Sequence, residues 1–354
     1  MISTAMTSLE RCMSVIDGKI PDRVPTDLHN FLMAARMADI PLSECLQSGE
    51  LMAQSHLVAW RTFKHDMILV ESGTTAVAQA LGCKVGYTDE VAPRVTAPVL
   101  KSIEDAHKLT VPEPRTTWPL TEVLKAVTIL RKELGDSVFI MGRADQAPLA
   151  LAGAIRGHQD FFFDLGMCED PAIVHRLLEV TLEATTRYAL ALKEAGAHGT
   201  SLGEFGSDTI SPTMYREYAL PYLKRFYAAM RAANFPASLH QCGNSEKVLD
   251  DMVASGAHIL ELDPSTDLRA AKKAAAGKTT VLGMVDPANV LHLGDPELVI
   301  EKSREALEIL APGGGFILGP GCALMPETPD ENVMALIETA HKHGNYREDG
   351  TLAN

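Results

Sequence analysis

The chain has 354 residues, of which 46% are hydrophobic and 22% charged, and its formal net charge is -14. This composition can build a large core and offers no basic stripe, which argues against nucleic-acid binding. No apolar run reaches the roughly 18 residues that a membrane-spanning helix needs, and the first residues lack the basic start of a signal peptide. We therefore expect a soluble, cytoplasmic protein. Six scattered cysteines are too few for a disulfide scaffold, so their thiols should be reduced and available to a metal.

Short apolar segments alternate with amphipathic stretches of helical length along most of the chain. This alternation predicts a parallel sheet. About eight such units, in a chain longer than the usual ~250 residues, favour a (β/α)8 TIM barrel over an open doubly wound sheet. The predicted strands lie near residues 23–29, 66–72, 137–143, 199–205, 236–242, 258–264, 279–286 and 314–321.

The long segment between the second and third predicted strands, residues 75–135, is rich in prolines and turn residues. We expect it to form covering loops rather than a second domain. The prediction is a single barrel domain over 1–345, with extra amino-terminal helices, followed by a frayed tail at 346–354. Ser211 and Asp295 are predicted to cap helices, because a proline follows each of them.

Three residues far apart in the sequence have the side chains of a zinc site. His240 and Cys242 stand at the carboxyl end of the fifth predicted strand, and Cys322 stands at that of the eighth. Barrel enzymes of this kind build their active sites at that rim. One imidazole and two thiolates suit zinc, and three protein ligands leave a position open, as in catalytic sites. The alternative interpretation is that the cysteines are small buried hydrophobic residues.

Further polar side chains are predicted at the strand ends. In the sixth predicted strand, alternation sends Glu261 and Asp263 to one face, so either carboxylate could lie within reach of the metal. The competing interpretation is a salt bridge or a helix cap. A cap is favoured for Asp286, because Pro287 follows it in a predicted turn. The polar residues at the other strand ends are His29, Glu71, Asp145 and Glu204.

Ordered segments along nearly the whole chain carry a family resemblance. They read SLERCMSVIDGKIPDRVP, AVAQALGCKVGYTDEVAPRV, ISPTMYREYALPYLKRF, LGMVDPANVL and FILGPGCALMPETPDENV. In these segments the chain resembles the uroporphyrinogen decarboxylase superfamily, and within it the zinc-dependent corrinoid methyltransferases. The resemblance implies a (β/α)8 barrel with zinc held by His240, Cys242 and Cys322. It also implies a fourth, exchangeable acidic ligand near Glu261 or Asp263.

Two departures from related motifs narrow the expected function. Decarboxylases of the superfamily have an amino-terminal segment of the type MRQAGR that grips the porphyrinogen carboxylates, whereas this chain reads DLHNFLMAARMADI and keeps Arg36 alone. A tetrapyrrole with many carboxylates needs several cations. The Asp-x-His-x-x-Gly signature of cobalamin-binding modules is also absent, because Leu32 replaces the glycine after Asp27 and His29. The resemblance therefore implies that cobalamin is a co-substrate carried by a separate corrinoid-binding protein.

The expected activity is transfer of a methyl group between a small methylated substrate and the cobalt of a corrinoid protein, with zinc as the cofactor. A methyl ether, as in O-demethylation, is the favoured substrate, and its cleavage would profit from a proton donor. Glu204, His29 and His258 are the candidate donors, and Glu261 and Asp263 are the candidate catalytic carboxylates near the metal. The alternatives are a methylcobamide:thiol methyltransferase, a metal-independent uroporphyrinogen-type decarboxylase and a non-catalytic binding protein.

Overall fold

A ring of eight parallel strands forms the centre of the protein, and helices surround it. The computed structural model describes residues 6–205 and 209–353. Each strand pairs in parallel with the next, and Thr26 closes the ring through a bridge to Leu318. The predicted (β/α)8 TIM barrel is confirmed, and every predicted strand range overlaps an observed strand. The barrel strands are β1 (Asp27–Leu28), β2 (Met67–Val70), β5 (Phe139–Gln146), β6 (Gly199–Glu204), β7 (Ala237–Gln241), β8 (Ile259–Leu262), β9 (Thr280–Val285) and β10 (Phe316–Pro320), while β3 (Lys84–Gly86) and β4 (Arg94–Ala97) pair separately.

The helices lie outside the ring and in the connections between strands. Among the described residues, no helix combines the length and the apolar character needed to cross a membrane. The α-helices are α1 (Ser8–Ile16), α2 (Phe31–Met37), α3 (Leu42–Cys45), α4 (Gly49–Phe63), α5 (Ala76–Ala80), α6 (Leu120–Leu134), α7 (Pro148–Arg156), α8 (His158–Met167), α9 (Pro171–Glu194), α10 (Pro212–Met214), α11 (Leu220–Ala232), α12 (Leu249–Ala254), α13 (Leu268–Ala275), α14 (Pro296–Leu310) and α15 (Asp330–His343). A 3₁₀ helix spans Ile103–Lys108, and π-helical turns span Tyr215–Ala219 and Pro287–His292.

Helix α1 closes the amino-terminal end of the barrel. Its Cys12 and Val15 side chains join a buried apolar cluster with residues of the strands, including Met67 and Phe139. The hydroxyl group of Thr280 donates a hydrogen bond of 3.1 Å to the Val15 carbonyl oxygen. Because helix and side chains fill this end, the mouth at the carboxyl ends of the strands is where a substrate can enter.

The segment between β2 and β5 is more regular than the sequence indicated. Residues 75–135 contain α5, the antiparallel hairpin of β3 and β4, a 3₁₀ helix and the fifteen-residue helix α6. The prediction of covering loops is therefore wrong for α6, which packs against α4 as a helix of the outer ring. The apolar periodicity of α6 begins directly after Pro119. The helix was therefore missed because the stretch before it is rich in proline.

Three predicted helix caps are present. Ser211 accepts a hydrogen bond from the Met214 amide, and Asp295 accepts one from the Leu298 amide. Asp286 accepts hydrogen bonds from the backbone amides of Ala288 and Asn289, so its side chain is committed to capping.

The carboxyl-terminal residues 346–353 are bonded to the barrel, in contrast to the frayed tail predicted for 346–354. The Tyr346 amide donates to the Asp22 carbonyl oxygen, and the Tyr346 hydroxyl donates to that of Ala311. The Gly313 amide donates to the carbonyl oxygen of Gly350. These backbone bonds and the largely buried tyrosine ring hold the segment despite its polar composition. Residue 354 lies outside the described part of the chain.

Candidate metal centre

The three residues singled out as metal ligands lie together at the mouth of the barrel. Nε2 of His240 is 2.9 Å from Sγ of Cys242 and 3.7 Å from Sγ of Cys322, and the two sulfur atoms are 3.9 Å apart. His240 is buried within β7, whereas Cys242 is exposed and Cys322 is partly exposed. The cluster therefore presents one side to solvent.

Two of the three separations fit a tetrahedral zinc ion. Zinc–ligand bonds of the usual length place two sulfur ligands ~3.8 Å apart and a sulfur and a nitrogen ligand ~3.5 Å apart. The separations of 3.9 Å and 3.7 Å that involve Cys322 are close to these values. The separation of 2.9 Å between Cys242 and His240 is a hydrogen-bond distance, so binding of zinc would require the exposed Cys242 side chain to turn away from the ring. The donor set and its spacing suit zinc.

Glycines next to the two cysteines make this arrangement possible. The Gly321 amide donates to the Val285 carbonyl oxygen at 2.9 Å. A Cβ atom on Gly321 would lie 2.6 Å from Cδ of Pro264 and 2.8 Å from the carbonyl oxygen of Leu262. Any side chain here would push the chain, and Cys322 with it, away from β8. Gly243 has a φ of +78°, which lets the backbone turn sharply after Cys242.

Glu261 lies on the opposite side of the His240 ring from the sulfur atoms. The two residues are partners in the register of β7 and β8. Oε1 of Glu261 is 3.3 Å from Nδ1 of His240 and 2.9 Å from Nδ1 of His29. Histidines that bind metals commonly donate their second ring N–H to a carboxylate, which fixes the orientation of the ring. Glu261 thus stands behind His240, and not beside the sulfur atoms as a metal ligand would.

His29, Glu71, Glu261 and Arg143 form a buried network of charges. Nε2 of His29 is 3.3 Å from Oε2 of Glu71, and Nε of Arg143 is 3.1 Å from the same oxygen. Burial alone would lower the pKa of His29, but the two carboxylates outweigh it and raise that pKa to about 10. The pKa of Glu71 is lowered because Arg143 and His29 outweigh the effect of its own burial. The network is thus charged at neutral pH.

Arg143 was not among the residues predicted from the sequence. It lies inside the apolar run of β5, where it is 4% exposed. The available signal was alternation, which sends Met141, Arg143 and Asp145 to the same face of the strand. Arg143 is a charged residue in the middle of a buried strand, and it shares a face with an acid at the end of that strand. Such a pattern indicates a buried ion pair.

Three other buried acids near the strand ends have raised pKa values. Burial raises the pKa of Glu204 to about 8 and that of Asp145 to about 7. Burial and the neighbouring Glu261 raise the pKa of Asp27 to about 8. Each acid has one buried carboxyl oxygen without a hydrogen-bond partner among the described residues, namely Oε2 of Glu204, Oδ1 of Asp145 and Oδ1 of Asp27. These groups can donate a proton or a hydrogen bond to a ligand.

Glu204 lies at the carboxyl end of the barrel, and the register places it on the face of the sheet opposite to that of His240. It ends β6, the strand beside β7, and its register partner Gln241 lies between His240 and Cys242. Its Oε1 accepts a hydrogen bond of 2.9 Å from the Phe205 amide, which leaves Oε2 as the available atom. The buried hydroxyl group of Tyr215, which also lacks a partner in the described structure, is near enough for Glu204 to influence its pKa.

Asp263 and His258 lie at opposite ends of β8, with Asp263 just after the strand and His258 just before it. Oδ1 of Asp263 accepts hydrogen bonds from the amide and the hydroxyl group of Ser265, so this carboxylate stabilises the turn after β8. His258 precedes β8, and its Nδ1 accepts a hydrogen bond from the Ala237 amide. With a rise of about 3.3 Å per strand residue, four residues separate it from the mouth by about 13 Å. His258 as a proton donor at the mouth was therefore a wrong prediction.

Comparison with known proteins identifies the family. The sequence profile named uroporphyrinogen decarboxylase (URO-D) matches residues 7–343. The chain belongs to this family. It is 28% identical over 353 residues to the methylcobamide:CoM methyltransferase MtbA of Methanosarcina acetivorans, covering 96% of this chain and 99% of MtbA. It is 32% identical over 306 residues to a uroporphyrinogen decarboxylase of Thermus thermophilus, covering 84% of this chain and 85% of that enzyme.

A solved structure agrees with the methyltransferase branch of the URO-D family. A methyltransferase from Methanosarcina mazei superposes with a TM-score of 0.87 at 25% identity, covering 95% of this chain and 99% of that one. The resemblance to the corrinoid methyltransferases of this superfamily is thereby confirmed. Since the relatives are methyltransferases and decarboxylases, the chain is an enzyme.

Proposed function

We propose that this URO-D family enzyme is a zinc-dependent methyltransferase, which moves a methyl group between a small methylated substrate and the cobalt of a separate corrinoid protein. The observation that carries the proposal is the cluster of His240, Cys242 and Cys322, with its three ligand atoms within 4.8 Å of one another. A metal-independent decarboxylase has no need of two thiols and an imidazole converging on one point at the mouth.

The chain supplies a rigid frame for that cluster. A zinc ion held by two thiolates and a neutral imidazole supplies Lewis acidity, which stabilises a bound thiolate or a leaving oxygen atom. Glu261 fixes the His240 ring through Nδ1, and His29 and Arg143 hold Glu261 in turn, at 2.9 Å and 4.0 Å. Because this support is buried, substrate and corrinoid must approach from the exposed side, where Cys242 lies.

Cleavage of a methyl ether is the reaction that best fits the neutral acid Glu204. When the methyl group leaves the ether oxygen, the electron pair of the broken bond stays on that oxygen and must be neutralised. We propose that Glu204 supplies the neutralising proton, because the pKa of this carboxyl is raised to about 8 and Oε2 has no hydrogen-bond partner among the described residues. This role requires the side chain to turn from the face of Gln241 toward that of His240 when the substrate binds. Asp145, with a pKa raised to about 7, is a second carboxyl that, in its protonated form, can donate a hydrogen bond to the substrate.

A methylcobamide:thiol methyltransferase is the second candidate. It is favoured by the MtbA relative of Methanosarcina acetivorans, whose name describes methyl transfer from a methylcobamide to CoM, over 96% of this chain. In that direction a thiol accepts the methyl group, so no leaving oxygen needs a proton. The raised pKa of Glu204 would then have no catalytic use.

The charge of the barrel mouth argues against a porphyrinogen substrate. The buried cations Arg143 and His29 are both already paired with the carboxylates of Glu71 and Glu261, so this network offers no unpaired positive charge. The guanidinium group of Arg36 is bonded to Asp330 and to the carbonyl oxygen of Pro326. These cations are committed, so they are not free to bind several substrate carboxylates.

The test uses the purified chain with free cobalamin in place of a corrinoid protein. Reduced cobalamin is incubated with methoxylated aromatic compounds, and methylated cobalamin with small thiols, while absorbance reports the state of the cobalt. We expect methylation of reduced cobalamin in the first arm, and its loss in Cys322→Ala. If only the thiols are methylated, the methylcobamide:thiol methyltransferase becomes the supported function instead of ether cleavage. Decarboxylation of a porphyrinogen without cobalamin, or full methyl transfer by Cys322→Ala, would refute the proposal.

A further inference from the structure

Of the backbone segments that carry the three candidate ligands, the loop with Cys322 has the least regular structure. His240 is part of β7 and Cys242 follows it directly, whereas Cys322 stands in an extended segment between β10 and α15. We call residues 321–329 the Cys322 loop. Its position depends on contacts with other parts of the fold, because it has no ladder of its own in the described structure.

Two of these contacts hold the beginning of the loop. The Gly321 amide donates to the carbonyl oxygen of Val285 at 2.9 Å, which continues the pairing of β10 with β9. The Leu324 amide donates to the carbonyl oxygen of His29 at 2.8 Å, and the Leu324 side chain is fully buried. Cys322 lies between these two anchors.

Arg36 holds the other end of the loop. From helix α2, its Nε donates to the Pro326 carbonyl oxygen at 2.6 Å, and its Nη2 donates to Oδ1 of Asp330 at 2.6 Å. The carbonyl oxygen of Thr328 is 3.5 Å from the same Nη2 atom. One planar guanidinium group thus bonds two loop carbonyls and the first residue of α15, which is where the loop ends.

We propose that Arg36 is a positioning residue of the metal centre: its guanidinium group fixes the Cys322 loop and thereby holds the Cys322 sulfur at ligand distance. The inference rests on the proposed zinc site, but it concerns a residue that contacts none of the three ligands. Metal sites tolerate displacements of their ligands of only about 0.5 Å, so the support of an irregular loop sets how firmly the site closes.

The same short segment of chain supports both sides of the site. His29 and Arg36 lie seven residues apart, at the end of β1 and in α2. The His29 side chain contacts Glu261 behind His240, and its carbonyl oxygen accepts from the Cys322 loop. Arg36 completes this support from the solvent side, where its side chain is 41% exposed. Because it is exposed, its removal should affect the loop more than the stability of the barrel.

The experiment compares Arg36→Gln and Arg36→Lys with the parent, and with the control Arg304→Gln. Arg304 is also an exposed arginine paired with an acid, Glu308, but it lies on α14. Zinc release from the loaded proteins is followed with a chromophoric chelator. We expect release about 10-fold faster in Arg36→Gln, in line with outer-sphere substitutions at metal sites. The rate of zinc release from Arg36→Lys should lie between those of the parent and Arg36→Gln, because one ammonium group cannot make all the hydrogen bonds of a planar guanidinium group.

A second readout needs no metal. In zinc-free protein, alkylation of each thiol by iodoacetamide is measured by peptide mass spectrometry, with the partly buried Cys168 as an internal standard. We expect Cys322 to react several-fold faster in Arg36→Gln, with Cys168 and the thermal unfolding temperature unchanged. Asp330→Asn, which removes one of the partners of Arg36, should give a smaller change in the same direction.

The outcomes separate this inference from the proposed function. If the parent binds no zinc, the proposed function fails, and the alkylation rate alone then decides whether Arg36 holds the loop. If the parent binds zinc but Arg36→Gln matches the parent in both readouts, the inference is overturned and the metal site stands. Equal effects in Arg36→Gln and Arg304→Gln would also overturn it.

Discussion

The carboxylate of Glu261 lies 3.3 Å from Nδ1 of His240, and the sulfur of Cys242 lies 2.9 Å from Nε2 of the same ring. The imidazole is thus held between an acid and a prospective metal. A carboxylate in this position keeps the proton on Nδ1 and leaves the lone pair of Nε2 for the metal. The arrangement assigns distinct roles to the two nitrogen atoms of His240.

Replacing Glu261 should therefore weaken metal binding. We expect Glu261→Gln to raise the dissociation constant for zinc about 10-fold, because the amide orients the ring but lacks the charge that strengthens its basicity. Competition with a chelator measures the change. Asp263→Asn is the matched control, since that carboxylate bonds Ser265, and it should keep the parent's affinity. A stronger loss of zinc in Asp263→Asn than in Glu261→Gln would show that Asp263 is the ligand.

The cluster of His240, Cys242 and Cys322 could be predicted from the sequence, but its support could not. A histidine and two cysteines placed after predicted strands suffice to indicate a metal site, because all strands of a parallel barrel end at one rim. The sequence does not say which way a strand-end side chain turns. Glu261 and Asp263 looked equivalent by alternation, yet one faces His240 and the other bonds the backbone of Ser265.

Arg143 illustrates the same limit for buried charge. The pairing of Arg143 with Glu71 joins residues 72 positions apart, and it depends on the curvature that brings β2 and β5 side by side. The strands themselves could be predicted, since each is a short apolar run. Helix α6 and the bonded carboxyl-terminal segment could not be predicted, because the local composition there is rich in proline or polar while tertiary contacts decide the structure.

Removal of the Arg143 charge should destabilise the fold. Arg143→Met leaves two buried carboxylates, Glu71 and Glu261, with His29 as their remaining cation, and loss of one partner from a buried ion pair costs about 3–5 kcal/mol. Urea unfolding of the zinc-free protein at pH 7 measures the free energy of unfolding. The exposed pair of Arg304 and Glu308 provides the control, since Arg304→Met should cost less than about 1 kcal/mol. Equal losses in the two variants would contradict a charged buried network.

Ether cleavage should depend on the protonated form of Glu204. Its pKa is raised to about 8 by burial, so the acid is present below that pH and is lost above it. We expect the rate with a methyl ether to fall as pH rises through about 8. Glu204→Gln should lower the rate by 10²–10⁴-fold, roughly the usual contribution of a general acid, and abolish this alkaline limb. A variant that keeps the parent's rate and pH profile would remove Glu204 from the mechanism.

Two buried histidines should make the fold sensitive to acid. Burial lowers the pKa of His65 to about 3 and that of His56 to about 4, and neither ring nitrogen of His65 has a hydrogen-bond partner among the described residues. Between pH 6.5 and these values the unfolded chain binds protons that the folded chain does not. The free energy of unfolding should therefore fall by about 1.4 kcal/mol per pH unit for each histidine.

The variant His65→Leu tests this acid sensitivity. It removes one of the two contributions, so its unfolding free energy should decline less steeply than the parent's between pH 6 and pH 4.5 or so. The exposed His107 is the control, and His107→Gln should follow the parent's curve. Parallel curves for the parent and His65→Leu would show that His65 does not remain neutral in the folded protein.

The junction between β1 and β10 divides the candidate site into two parts that differ in how readily they open. Strand β1 has two residues, and the closure to β10 involves the bridge of Thr26 with Leu318. Strands β7 to β10 belong to one uninterrupted ladder, with His240 in β7, Cys242 directly after β7 and Cys322 shortly after β10. Local opening occurs first where pairing is shortest, so amide exchange near β1 should outpace that in β7 to β9. During such an opening His240 and Glu261 stay paired within the ladder, while His29, on the far side of the gap, separates from Glu261 and its carbonyl oxygen separates from the Cys322 loop.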